Sequence, residues 1–198
     1  MERATFYFDL GSPYAYLVAE RIDEVLGADV LWQPVSLGAI FKATGRSSWA
    51  VEDPARRAQG IGEVERRAQA YGLPPLRWPE PWPSNYLFAM RAATFAFEVG
   101  RGHEFTLRAF RDAFARGRDL AVPENVLNAA AEAGLDPDAV AAATADPKVK
   151  LALRAATDAA LARGVHGVPT VAVGGELFWG DDRLGDAASR SRGWRRPP

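Results

Sequence analysis

Three groups of residues, far apart in the chain, are of types that can act on a polar ligand. Phe6-Tyr7-Phe8-Asp9-Leu10-Gly11 is a short apolar run ending in a turn, and Ser12-Pro13-Tyr14-Ala15-Tyr16-Leu17 opens a helix. A group at a helix start meets unpaired backbone N–H donors and the positive end of the helix dipole, which together favour an anion. A serine hydroxyl there can donate to a bound thiolate and lower the pKa of the thiol. Ser12 reads equally as an N-cap, since serine is a preferred residue at that position. The second group is Val168-Pro169, in the run Gly167-Val168-Pro169-Thr170. A cis peptide bond is accessible at low cost almost only before proline. Such a turn exposes the backbone of Val168 for pairing with an extended peptide, and an ordinary loop proline is the other reading. The third is Trp179-Gly180-Asp181-Asp182-Arg183-Leu184, where a helix start can hold a carboxylate and an aspartate can hold an ammonium. A plain capped helix is again the alternative.

What the chain lacks narrows the chemistry. It has 198 residues and no cysteine, which excludes protein disulfides, thiolate metal sites and Cys-x-x-Cys redox work. The two histidines, His103 and His166, have no metal-ligand spacing, so no metal is expected. No Gly-x-Ser-x-Gly run surrounds Ser12, and no Asp–His partner is evident that would make it a hydrolase nucleophile. A formal net charge of −1 argues against general nucleic-acid or anionic-membrane binding. The basic tail at 190–196 reads as a solvated terminus. No apolar run approaches the roughly 20 residues of a membrane span. The first strand starts too near Met1 for a signal peptide, and a cytoplasmic protein is expected. The length holds one large domain or one with a sizeable insertion, and 48% hydrophobic with 25% charged residues is ordinary for a globular protein.

The elements that must position these groups can be read from periodicity. Residues 5–10 read as a buried strand. Pro13 suits a first helical turn, and apolar residues then recur at helical spacing as far as Gly27. Residues 30–35 read as a second strand, so the opening is a β-α-β unit with a parallel strand pair. Helical patterns follow: a turn at 40–43, an amphipathic helix at 54–71, a Pro/Trp loop at 75–83, helices at 85–99 and 105–116, and further helices opened by Pro123, Pro137 and Pro147. Strands at 170–173 and 176–179 flank Gly174-Gly175, a two-residue hairpin signal, and a last helix is expected over 181–189. A β-α-β unit and a β-β-α unit separated by helices describe an α/β thioredoxin-like domain (1–36 and 165–198) carrying a large helical insertion (37–164). Most such domains place a reactive cysteine at the helix start. With serine there instead, the thiol must be borrowed, and glutathione is the expected source.

Tyr7-Phe8-Asp9, Ser12-Pro13-Tyr14, Ile40-Phe41-Lys42-Ala43-Thr44-Gly45, residues 85–91 and residues 167–184 together resemble the bacterial 2-hydroxychromene-2-carboxylate isomerases. These group with kappa-class glutathione transferases in the DsbA-like branch of the thioredoxin superfamily. The resemblance covers nearly the whole chain and is most specific at Gly-Val-Pro-Thr followed by Phe-Trp-Gly-x-Asp-Arg-Leu.

The resemblance implies a glutathione-dependent cis-trans isomerase acting on an aromatic or conjugated pyruvate. It leaves a kappa-class-like transferase and a non-catalytic thiol- or peptide-binding module as alternatives. It implies that Ser12 holds the glutathione thiolate, that Val168 pairs with the cysteinyl backbone, and that Trp179, Gly180, Asp181 and Asp182 receive the γ-glutamyl group. Lys42, Arg46 and Trp82 would lie at the second-substrate pocket, the cations pairing with an acid and the indole covering a ring. Packing of a Pro-rich loop for Trp82 and a solvated charge for Lys42 are the alternatives. A homodimer is also implied. The chain departs from the family pattern at Arg46, where asparagine is frequent, and at His166, where phenylalanine is usual. Residues 47–53 lack the Asn-Arg pair through which related isomerases are thought to hold substrate.

Overall fold

Aromatic and β-branched residues at 5–8 and 170–173 favour extended backbone, and they form the centre of the sheet in a computed structural model describing residues 3–27 and 29–194. β1 (Thr5–Phe8) pairs in parallel with β2 (Leu31–Pro34) and antiparallel with β3 (Thr170–Val173), which turns back into β4 (Glu176–Trp179). The order is β2-β1-β3-β4. A parallel pair followed by an antiparallel hairpin is the arrangement expected of the thioredoxin-like class. Gly174 and Gly175 carry the hairpin at φ 56° and 84°, a conformation glycine reaches without steric cost.

Side chains alternate across this sheet, as the two-residue period of a strand requires. Phe6, Phe8, Trp32, Val171 and Val173 point to one face and join Phe110 in the larger core, with Phe8 and Phe110 centroids 6.0 Å apart. Tyr7 and Ala172 point to the other, against Val35, Ile40, Ala160 and Val168. Both faces are therefore covered. The covering helices are α3 (Leu37–Thr44), α4 (Pro54–Ala70), α5 (Leu87–Glu98), α6 (Gly102–Phe114), α7 (Pro123–Glu132), α8 (Pro137–Ala145) and α9 (Pro147–Ala162). They follow α1 (Pro13–Ala19) and α2 (Ile22–Leu26), and α10 (Leu184–Trp194) closes the chain. Proline stands in the first turn of α1, α4, α7, α8 and α9, where its missing N–H costs nothing. Among the described residues no helix is long and apolar enough to cross a membrane.

Several boundaries differ from the sequence expectations. The helix expected to run from Pro13 to Leu26 is broken between α1 and α2. There the Arg21 N–H donates to Val18 O, three residues back. Both residues at the break are held by distant partners: Glu20 accepts two bonds from Arg111 (2.7 and 2.8 Å), and the Arg21 guanidinium lies 3.5 Å above the Tyr71 ring. The first strand stops at Phe8, because Asp9 turns inward and accepts backbone bonds. The last helix continues beyond 189 to Trp194 after a 3-10 turn at Asp181–Arg183. Arg195 and Arg196, part of the expected basic tail, lie outside the described residues.

Candidate active site

Ser12 caps α1 with extended backbone (φ −94°, ψ 114°), and its Oγ accepts from the Ala15 N–H at 3.2 Å. The residue is 4% exposed. Its hydroxyl proton points to Val168 O at 3.5 Å, the long limit for such a bond, so the donor can be redirected to a better acceptor. The Val168–Pro169 bond is cis. The helix start and the Val-Pro turn thus lie side by side, as the order of elements predicts. Thr170 Oγ1 donates to Gly167 O (2.7 Å) and the Gly180 N–H to Pro169 O (3.0 Å), tying the turn to the end of β4. His166, beside it in sequence, is exposed and does not line the cleft described below.

Beneath Ser12 sits Asp9, 6% exposed. Its Oδ1 accepts from the Gly11 N–H and its Oδ2 from the Leu37 N–H, both at 2.8 Å, and its carbonyl accepts from the Ser12 N–H at 3.0 Å. One carboxylate therefore connects the turn before α1 to the start of α3. Burial pushes its pKa up to about 6, against the two backbone donors that pull it down. The Tyr7-Phe8-Asp9 motif by itself assigns Asp9 no role, because both of its side-chain partners are backbone groups that a sequence pattern does not reveal.

A cleft of about 1250 Å³ opens over these groups, bordered by the starts of α1 and α3, residues 45–52, α4, residues 82–87, the Val-Pro turn and residues 179–182. This exceeds the usual 300–1,000 Å³ of a single small-molecule pocket, leaving room for two ligands. Trp82 is buried on one wall, its Nε1–H donating to Gly11 O at 3.3 Å. Trp49 and Trp78 pack on it at 5.4 and 4.7 Å between centroids, and Tyr14 meets Trp49 at 6.3 Å. On the opposite rim the Arg46 guanidinium lies 4.9 Å from the Trp179 ring. A Cβ at Gly167 would come within 2.8 Å of Trp179 Nε1, so any larger residue there would push the indole aside.

Lys42 is a correction. It was expected beside the second-substrate pocket, but it is exposed and does not line the cleft, although Phe41, Gly45 and Arg46 do. It lies on the solvent face of α3. Asp181, which the resemblance groups with Trp179, Gly180 and Asp182 as receiving the γ-glutamyl group, is 1% exposed, and its carboxylate accepts from Arg67 Nη1 (2.7 Å) and the Tyr71 hydroxyl (2.8 Å). Asp182 remains open, its side chain 58% exposed. Arg67, Trp49, Tyr14 and Tyr86 line the cleft and were not singled out from sequence. Arg67 sits in a charged amphipathic helix, where Glu63–Arg67 reads as an ordinary i,i+4 surface pair.

Gly180 fixes Asp182. Its φ is +112°, and an added Cβ would fall 2.5 Å from Asp182 Oδ1. Gly180→Ala is therefore expected to lose about 1–3 kcal/mol of stability through backbone strain and to displace Asp182. Thermal melts that coincide with wild type would contradict this.

The family model of the DSBA-like thioredoxin domain matches residues 4–190. A 2-hydroxychromene-2-carboxylate isomerase of Sphingobium xenophagum is 26% identical over 183 residues, covering 90% of this chain and 92% of the relative. Glutathione S-transferase kappa 1 of Caenorhabditis elegans is 27% identical over 124 residues, covering 59% of this chain and 54% of that protein. A solved structure of a 2-hydroxychromene-2-carboxylate isomerase superposes with a TM-score of 0.83 at 23% identity, covering 95% of this chain and 93% of the other.

Proposed function

Because the chain belongs to the DSBA-like thioredoxin domain family yet contains no cysteine, we propose that it is a glutathione-dependent isomerase of the 2-hydroxychromene-2-carboxylate type. The observation that carries this reading is the Ser12 hydroxyl, held at a helix start 3.5 Å from Val168 O beside a cis proline. That geometry suits a thiolate, and the thiol has to come from a ligand. The names of the relatives support an isomerase or a transferase.

The residues present fit glutathione. Ser12 offers a redirectable O–H to a thiolate, the Val168 backbone borders the cleft, and the exposed Asp182 carboxylate can meet an ammonium. Bound glutathione supplies a sulfur nucleophile for reversible addition to a conjugated acid, turning a double bond into one that rotates. The chain's part is to lower the thiol pKa through Ser12, to align the peptide on Val168, and to cover the acceptor ring with Trp82 and Trp49. Arg46, a cation on the cleft rim, is placed to pair with the acceptor's carboxylate. The second reading, a kappa-class-like transferase, is favoured by the kappa relative. Product analysis separates the two: an isomerase returns free glutathione in full, and a transferase consumes it.

Lys42 lies outside the cleft and Arg46 inside, so the two cations should separate in kinetics. Arg46→Ala is expected to raise KM for an acidic acceptor about fivefold, the worth of an exposed charge pair near 1 kcal/mol, with glutathione affinity unchanged. Lys42→Ala should alter neither. Equal losses from both variants would show that α3 acts through its charge as a whole.

A further inference from the structure

Gly60 and Gly62 both stand inside α4, where alanine is the better helix former. Their surroundings differ. An added Cβ at Gly62 meets nothing within 4 Å, whereas one at Gly60 overlaps Cε3 and Cζ3 of Trp49 and falls 2.8 Å from its Cη2. The benzo ring of Trp49 therefore rests on bare helix backbone. The two tryptophans of this cleft wall are held differently. Trp82 is tied at both ends, its Nε1–H donating to Gly11 O at 3.3 Å and its carbonyl accepting from Arg57 Nη2 at 2.8 Å. Trp49 is placed by packing, against Gly60, Trp82 and Tyr14. Trp49 lines the cleft, and it does not border the smaller cavity of about 520 Å³ behind Ala50 and Val51. A push from α4 thus drives the indole into the cleft.

Resting on the reading of this cleft as the place of an aromatic acid beside a thiol, we propose that Gly60 is a positioning residue that sets how large an aromatic acid the cleft accepts. Gly60 touches no ligand and acts through Trp49. Because it has no side chain, the indole lies back on α4. Trp49 and Trp82, 5.4 Å apart between centroids and inclined at 50°, then form a bent aromatic wall that takes a fused two-ring acid. A methyl group at position 60 moves Trp49 over the outer half of that wall. A one-ring acid, seated on Trp82, keeps its place.

Calorimetric titration of the full chain with 2-naphthoate, benzoate and glutathione tests this, with Gly62→Ala as the control. Gly62→Ala should melt roughly 2–4 °C higher, the gain of alanine over glycine inside a helix, and bind all three ligands as wild type does. Gly60→Ala should show no such gain and should weaken 2-naphthoate about tenfold, the effect of overpacking by one methyl group. Benzoate and glutathione should bind it normally. Adding Trp49→Phe removes the ring edge that the methyl group strikes, so Gly60→Ala/Trp49→Phe should bind 2-naphthoate as Trp49→Phe alone does. If Gly60→Ala does not fold, that last comparison decides the matter. Equal weakening of 2-naphthoate and benzoate by Gly60→Ala overturns the proposal, as does Gly60→Ala behaving like Gly62→Ala, or the double variant binding more weakly than Trp49→Phe. Failure of wild type to bind either acid overturns the aromatic-acid reading and this proposal with it. Failure to bind glutathione alone overturns the glutathione reading and leaves the part of Gly60 standing.

Discussion

Ser12→Ala is expected to raise the pKa of bound glutathione by about one to two units and to cut turnover at neutral pH by about tenfold to a hundredfold. The hydroxyl has one proton to give, now spent on a 3.5 Å contact to Val168 O, so a thiolate placed there gains a charged hydrogen bond at little cost. Such a bond is worth about 1.5–3 kcal/mol, and each pKa unit corresponds to about 1.4 kcal/mol. Ser12 is also the cap of α1, so alanine should lower stability by about 1 kcal/mol as well. Ser12→Gly separates the two roles. Glycine costs a helix cap only a few tenths of a kcal/mol, but it has no hydroxyl, so it should reproduce the pKa rise with nearly normal melting. Ultraviolet titration of the thiolate measures the shift. If both variants titrate like wild type and only alanine melts earlier, Ser12 is a cap and nothing more.

The parts of this site that were legible in the sequence are those built by local rules. The β3–β4 hairpin could be read to the residue because alternating side chains and a Gly-Gly turn specify it. Ser12 and the Val168–Pro169 turn could be placed together because a parallel β-α-β unit and an antiparallel hairpin combine in few ways. What stayed hidden depends on partners distant in the chain. The break between α1 and α2 coincides with Arg111 on Glu20 and Tyr71 under Arg21, contacts that no helical periodicity encodes. Asp181 and Asp182 are adjacent and alike in sequence, and only Arg67 and Tyr71, more than a hundred residues earlier, make one a buried, doubly bonded carboxylate and leave the other mostly exposed with a longer ion pair of 3.6 Å to Arg67. Lys42 lies in the last turn of α3 and Arg46 just past its Gly45 cap, and the resemblance does not distinguish which of them faces the cleft.

Asp9 gives the other large effect, through pH. Its carboxyl has a folded-state pKa pushed up to about 6 by burial, from an ordinary value of 3.8. An acid whose pKa is raised on folding holds its proton more tightly in the native state. The folded chain therefore binds more protons between about pH 4 and 6, and stability falls as pH rises through that window. Two units or so correspond to a loss on the order of 3 kcal/mol, complete above about pH 6. Asp9→Asn removes the titration, so the difference in melting temperature between wild type and Asp9→Asn should shrink or reverse from pH 4 to pH 7. For a chain of this length each kcal/mol is worth roughly 2–4 °C. The amide can accept from only one of Gly11 and Leu37, each now 2.8 Å from the carboxylate, so the variant also pays about 1–3 kcal/mol for the orphaned N–H at every pH. That second cost is constant and cannot mimic the slope. Parallel stability–pH curves for the two proteins would mean that the two backbone donors cancel the effect of burial and that Asp9 titrates as an ordinary carboxyl. The ionised form, the one that holds the turn before Ser12 and the start of α3 together, would then persist well into acid.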